Sequence, residues 1–167
     1  MKAAWVLLGI AVAVAVQTTV DRWLAAGAVD LVLVVVVYNA LVSERVTGLL
    51  AGSFAGLVQD VLSGGVLGMA GLSKTVIGYL AGIVGTQFIV AHSVSRFVVF
   101  FLATVLNAVI FMGLYELLGL RHFGAPFAAV AGQGVGNAVV GVLVFKVVEL
   151  LPGAVERRRA GRSGIRR

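Results

Sequence analysis

The chain consists largely of long runs of apolar residues separated by short polar connections. Most of these runs are close to the ~20 residues that a helix needs to cross the hydrocarbon layer of a membrane. They cover residues 3–20, 29–42, 46–62, 72–91, 97–120 and 127–151. With 60% hydrophobic and only 12% charged residues, a water-soluble fold would have too little polar surface. We therefore predict an all-α integral membrane protein with about six transmembrane helices.

The basic residues divide the chain into a nearly neutral body and a cationic end. The formal net charge is +6, and six arginines lie within the last eleven residues. We predict a transmembrane domain over residues 1–152 and a basic tail over residues 153–167. The tail is expected to contact anionic lipid at about 1 kcal/mol per basic residue. The arginines assigned to this contact are Arg157, Arg158, Arg159 and Arg162. A position beside a membrane edge explains the cluster, so no nucleic acid is predicted as a partner.

The tail also predicts the orientation, because cationic segments resist translocation and remain in the cytoplasm. With an even number of spans, both termini are then cytoplasmic. The connection between the third and fourth spans lies on the outer side.

Two rows of glycine mark the third and fourth spans as closely packed. Residues four apart lie near one face of a helix, and small residues there allow two helix backbones to approach in lipid. The helix-packing or partner-interface residues predicted from this spacing are Gly48, Gly52, Gly56, Gly78, Gly82 and Gly85.

Asp60 and Lys74 flank the glycine-rich connection between these two spans. A charge within a membrane is costly, so a partner of opposite sign is expected. We predict an Asp60–Lys74 pair across the hairpin, with a structural role. The open alternative is that each side chain reaches headgroup water by itself, Lys74 by extending its aliphatic stem.

Three amides lie within the later spans, namely Asn107, Gln133 and Asn137. Amides in lipid commonly bond a neighbouring helix, and we favour this packing role over a contact with substrate.

Catalytic and metal-binding patterns are missing from the sequence. It has no cysteine, no paired carboxylates and no histidine pair at metal-ligand spacing. We therefore predict that the chain is not an enzyme and holds no metal or cofactor.

The hairpin resembles the rod shape-determining protein MreD family. Residues 52–64 read GSFAGLVQDVLSG, and LSKT at residues 72–75 is followed by GY at residues 78–79. These stretches are similar to that family's G-F-x-x-G-L-x-x-D-x-L-S-G and L-S-K-T-x-x-G-Y signature. Further residues that carry the motif are Gln59, Ser63, Gly64, Gly68, Ser73, Thr75 and Tyr79.

Weaker similarities to the family lie outside the hairpin, in Gln17-Thr18-Thr19, Asp30-Leu31 and Asn137. One position departs from the family pattern, since Val29 stands where the family usually has proline before the aspartate.

The resemblance implies a non-enzymatic scaffold subunit of the bacterial cell-elongation complex, in the inner membrane. Such a subunit binds the single-span protein MreC and helps to couple MreB filaments to peptidoglycan synthesis. Other members of that complex, such as RodA and a penicillin-binding protein, are further implied partners, and self-association into a homodimer stays open. The architecture is also similar to the membrane substrate-binding subunits of energy-coupling-factor transporters. The alternative function is therefore substrate binding for a small-molecule transporter of the vitamin type.

Overall fold

The computed structural model describes residues 2–23, 28–87, 92–124 and 126–150, which form six α-helices and no strand. The helices are α1 (Lys2–Trp23), α2 (Leu31–Val42), α3 (Arg45–Ser63), α4 (Met69–Gln87), α5 (Ser93–Leu117) and α6 (Phe127–Leu150). The basic tail lies outside the described residues.

The helices confirm the predicted class of a multi-helix membrane protein. Among the described residues, α3, α5 and α6 are long and apolar enough to cross a membrane. The stretch Val6–Thr19 of α1 and the whole of α2 are shorter apolar helices. Large apolar side chains such as Val12, Leu102 and Leu143 point outward and are about half exposed. An apolar exterior of this kind is suited to lipid.

α2 is the centre of the bundle, and each of the other five helices contacts it. Its sequence, LVLVVVVYNALV, is apolar on every side, as expected for a helix with neighbours all round. Val32 and Val36 pack with residues of α1 and α3, whereas Leu33 and Val37 pack with residues of α4, α5 and α6.

α2 is also too short to span the membrane by itself. Its 12 residues extend about 18 Å, against a hydrocarbon layer of ~30 Å. One end of it therefore lies inside the bundle. We call the end of the bundle with the α3–α4 connection the hairpin end, and the opposite one the tail end.

Candidate functional site

The start of α2 lies near the middle of α5 and α6 rather than at a membrane edge. The backbone N–H of Asp30 donates to Oδ1 of Asn137, midway along α6, over 2.8 Å. Nδ2 of the same amide donates to the Thr104 hydroxyl of α5 over 3.0 Å. Thr104 in turn donates to the carbonyl of Phe100. A helix that begins at this depth cannot bond its free N–H groups to water, so other protein groups must accept them.

Gln17 of α1 and the side chain of Asp30 supply the remaining bonds of this helix start. Oε1 of Gln17 accepts the N–H of Leu31 over 2.8 Å, and Nε2 donates to the carbonyl of Val29 over 2.9 Å. Oδ1 of Asp30 accepts the N–H of Leu33 over 2.9 Å, which makes Asp30 the N-cap of α2. The backbone groups of Val29, Asp30 and Leu31 at this helix start are thereby bonded within the protein.

Lys74 of α4 neutralises this cap. Its Nζ lies 2.7 Å from Oδ2 of Asp30, and the two side chains are 3% and 11% exposed. A carboxylate at a helix N-terminus also interacts favourably with the helix dipole. We call the side chains of Gln17, Asp30, Lys74, Thr104 and Asn137 the α2 network. It joins α1, α2, α4, α5 and α6.

The predicted Asp60–Lys74 pair is therefore wrong, and the register of the hairpin explains why. Lys74 lies opposite Gly52, which precedes Asp60 by eight residues, or about 12 Å along α3. Lys74 is also 2% exposed, so it does not reach headgroup water as the alternative required. The sequence analysis places Asp30 at the start of the second apolar run, far along the chain from Lys74, and does not consider it as the partner.

Asp60 instead holds the start of α4. Its carboxylate accepts backbone N–H groups from Gly68 (2.9 Å), Ala70 (3.1 Å) and Gly71 (3.2 Å). These charge-assisted bonds satisfy donors that the first turn of α4 would otherwise leave free. The connection can turn back to Asp60 because Gly64 and Gly68 adopt φ angles of 64° and 99°, which favour glycine.

The glycine rows form the contact between α3 and α4. A methyl group at Gly52 would collide with the backbone carbonyl of Lys74, and one at Gly56 with that of Ala70. Gly48 and Gly78 face each other in the same way. Gly82 lies against Arg45, and Gly85 lies against Leu41 of α2. These faces are occupied by the protein's own helices, so they are not an open groove for a foreign helix.

The hydroxyls of the hairpin motif bond to their own helices, as serine and threonine often do in lipid. Ser63 donates to the carbonyl of Gln59, Ser73 to that of Ala70 and Thr75 to that of Gly71. Tyr79 is 41% exposed on the outer face of α4.

Of the other two intramembrane amides, Asn107 is 8% exposed and Gln133 is half-buried. Oδ1 of Asn107 is buried and accepts no hydrogen bond within the described part of the chain. Among the described residues, Asn137 is the only one of the three amides that bonds within the α2 network.

A second ion pair, partly buried, lies at the tail end and was missed by the sequence analysis. Arg96, at the start of α5, donates to both carboxylate oxygens of Glu149 of α6 over 2.6 and 3.2 Å. Its guanidinium carbon also lies 4.4 Å from the centre of the Phe145 ring. The available signal was an arginine that begins one span and a glutamate that ends the next, since both must lie at the same membrane edge.

The chemistry of the α2 network is structural. Its charges and amides are bonded to one another and to the backbone, in positions that fix where five helices meet. Within the described ranges no group of three histidine, aspartate or glutamate side chains could hold a metal ion.

The model of one protein family matches nearly the whole chain. That family is described as rod shape-determining protein MreD, and the match covers residues 2–152. The matched range contains both the α2 network and the α3–α4 hairpin. No curated protein and no solved structure matches the chain.

Proposed function

The chain belongs to the rod shape-determining protein MreD family, and from this premise we propose that it is a membrane scaffold of the bacterial cell-elongation complex. The family identifies it as a rod shape-determining structural membrane protein of bacteria. In our proposal it binds a single-span MreC-like protein in the inner membrane. Through that partner it helps to couple MreB filaments to peptidoglycan synthesis by RodA and a penicillin-binding protein.

The observation that carries this proposal is that the polar residues similar to the family pattern bond to other groups of the protein. Asp30, Asn137 and Lys74 bond to one another, and Asp60 bonds to the start of α4. Buried polar groups engaged in this way hold helices in one arrangement. A fixed arrangement of helices is what a protein needs in order to position partners.

The same bonds weigh against the alternative of a small-molecule carrier. A carrier needs convergent polar groups that face a ligand cavity. Asp60, Lys74, Gln59 and Asn137 are the groups that would line it. Asp60, Lys74 and Asn137 are bonded to the protein itself, and of the four only Gln59 keeps a buried acceptor without a donor among the described residues.

Because the glycine rows are enclosed, the partner in our proposal binds to the outer surface of the bundle. Exposed apolar side chains cover the outer faces of α1, α5 and α6, where a foreign helix could pack from the lipid. In the proposed orientation the tail end is cytoplasmic. Lys2 and the arginine tail then lie on the anionic inner surface, with residues 1–152 as the transmembrane domain and residues 153–167 as the tail.

Depletion of the protein in a rod-shaped bacterium, combined with co-purification in detergent, tests this function. We expect depleted cells to become round and the purified protein to retain an MreC-like single-span partner. Normal cell shape with loss of uptake of a small molecule would instead establish the carrier. Rounding without any retained partner would contradict the scaffold mechanism.

A further inference from the structure

A small cavity with a partly polar lining opens between α1, α2 and α3 at the hairpin end. Its volume is about 130 Å³, and Gln17, Thr18, Gln59 and Ser63 form its polar wall. Val14 and Val32 form part of its apolar wall. The larger cavity between α1, α2 and α6, of about 400 Å³, is lined by apolar residues and one glycine. The cavity at α1, α2 and α3 therefore differs from that lipid-facing groove in chemistry.

The side-chain amide of Gln59 is part of this wall and has an unused hydrogen-bond acceptor just beneath the surface of the cavity. Oε1 of Gln59 is buried and accepts no hydrogen bond from any described residue. A buried acceptor without a donor is unfavourable, and a half-turn of the amide, which exchanges its nitrogen and oxygen, would present this acceptor to a group bound in the cavity. The amide lies in the last turns of α3, close to the hairpin end of the bundle.

The two hydroxyls of the wall are also suited to accept hydrogen bonds from donors on a ligand. Thr18 donates its hydrogen to the carbonyl of Ala15, and Ser63 donates to the carbonyl of Gln59. With their hydrogens used in this way, both oxygens offer lone pairs to the cavity. The wall is therefore complementary to a ligand that carries several O–H or N–H groups.

The charge and size of the cavity restrict that ligand further. No charged side chain is among the lining residues, and the nearby Asp60 carboxylate is bonded to the start of α4. A cation would find no counter-charge there, whereas a neutral polyol would need none. A volume of about 130 Å³ suits a group of the size of glycerol.

We propose that this cavity binds a neutral polyol group, with the amide of Gln59 as the residue that recognises its hydroxyls. The position near a membrane edge suits a glycerol headgroup carried by a lipid, and a free polyol has the same chemistry. The ligand is thus defined by its hydroxyls and not by a charge.

Lipid retention by the purified full-length protein tests the proposal. Native mass spectrometry would compare phosphatidylglycerol with phosphatidic acid of identical acyl chains, both of which are anionic. Only phosphatidylglycerol has the terminal glycerol, so its preference over phosphatidic acid separates headgroup recognition from attraction to the arginine tail. We expect wild-type protein to prefer phosphatidylglycerol, and Gln59→Met to reduce this preference about tenfold.

Gln133→Met is the matched control, because it removes an amide from α6, which does not line the cavity. We expect it to keep the wild-type preference. Thr18→Val provides a second test that stands if Gln59→Met does not fold, and it should also lower the preference. Equal retention of the two lipids by wild-type protein, or an unchanged preference in both cavity variants, would overturn the proposal.

Competition with free glycerol distinguishes a glycerol headgroup carried by a lipid from a free polyol. If glycerol displaces phosphatidylglycerol from wild-type protein but not from Gln59→Met, a soluble polyol can fill the same site. If it fails to displace the lipid while the lipid preference holds, the glycerol must be carried by a lipid. Displacement to the same extent from both proteins would contradict recognition by Gln59.

Discussion

Lys74 and Asp30 form a buried ion pair that joins the second turn of α4 to the start of α2. The Nζ–Oδ2 distance is 2.7 Å, and the pair lies where α2 begins inside the bundle. Asp30 serves at once as the cap of α2 and as the counter-ion of Lys74. A membrane protein with a helix too short to span the bilayer needs such a device, because lipid offers no partner for the helix start.

Removal of one member of this pair is expected to be more harmful than removal of both. Lys74→Met leaves the Asp30 carboxylate buried without a counter-ion, which should cost about 3–5 kcal/mol of folding free energy. Asp30→Asn combined with Lys74→Met removes both charges and should recover much of this loss. Denaturation of the purified protein in detergent measures the effect.

Lys146→Met is the control for the ion-pair experiment, because Lys146 is exposed on α6 and makes no ion pair in the described residues. Its stability should match that of the wild type. Strictly additive losses in the double variant would show that Asp30 and Lys74 do not interact energetically.

A methyl group in the α3–α4 contact should separate the two helices. Gly52→Ala places a carbon against the carbonyl of Lys74, and backbone shifts forced by overpacking typically cost about 1–3 kcal/mol. Gly52→Leu should be worse. Gly113→Ala is the matched control, because a methyl group at Gly113 of α5 meets no atom within 4 Å. By helix propensity this control should be neutral or slightly stabilising.

Thermal unfolding in detergent and co-purification of the partner distinguish a role of the glycine rows in packing α3 against α4 from a role in binding the partner. We expect Gly52→Ala to lower the unfolding temperature. The variant should lose the partner only to the extent that the protein itself unfolds. Partner loss at an unchanged unfolding temperature would mean that Gly52 belongs to an external interface, against the structure.

Removal of the Asp60 carboxylate should loosen the start of α4. Asp60→Ala deprives three backbone N–H groups of their acceptor, at an expected cost of about 1–3 kcal/mol or more. Asp60→Asn keeps one acceptor oxygen and should cost less. Hydrogen exchange should accelerate first at the amides of Gly68, Ala70 and Gly71. Unchanged protection of these amides in Asp60→Ala would contradict the assigned role.

The number of helices and the membrane class were predictable from the sequence, because length and hydropathy of a run determine whether it can span lipid. The position of α2 was not. Its run reads as a short span, and only the tertiary arrangement shows that its start lies beside Asn137 and Thr104. Hydropathy carries no information about the depth of a helix end.

The partners of the buried charges were also not predictable from the sequence. Asp60 and Lys74 are close in sequence and flank one connection, so a pair between them was the simplest inference. The actual partners, Asp30 and Lys74, are separated by 44 residues. Gln17, Asp30 and Asn137 each resembled the family pattern only weakly, and nothing in their spacing indicated that they meet. Long-range contacts between helices leave no periodic signal in one sequence.

The absence of cysteine from the chain allows a direct test of the proposed orientation. Leu67→Cys places a thiol on the α3–α4 connection, where the native side chain is 68% exposed. Ser163→Cys places one in the arginine tail. Because cationic segments remain inside, we expect a membrane-impermeant maleimide to label Leu67→Cys in intact spheroplasts and Ser163→Cys only after permeabilisation. The reverse pattern would invert the topology. Labelling of both in intact spheroplasts would place the tail and the hairpin on the same side and contradict three spans, α4, α5 and α6, between them.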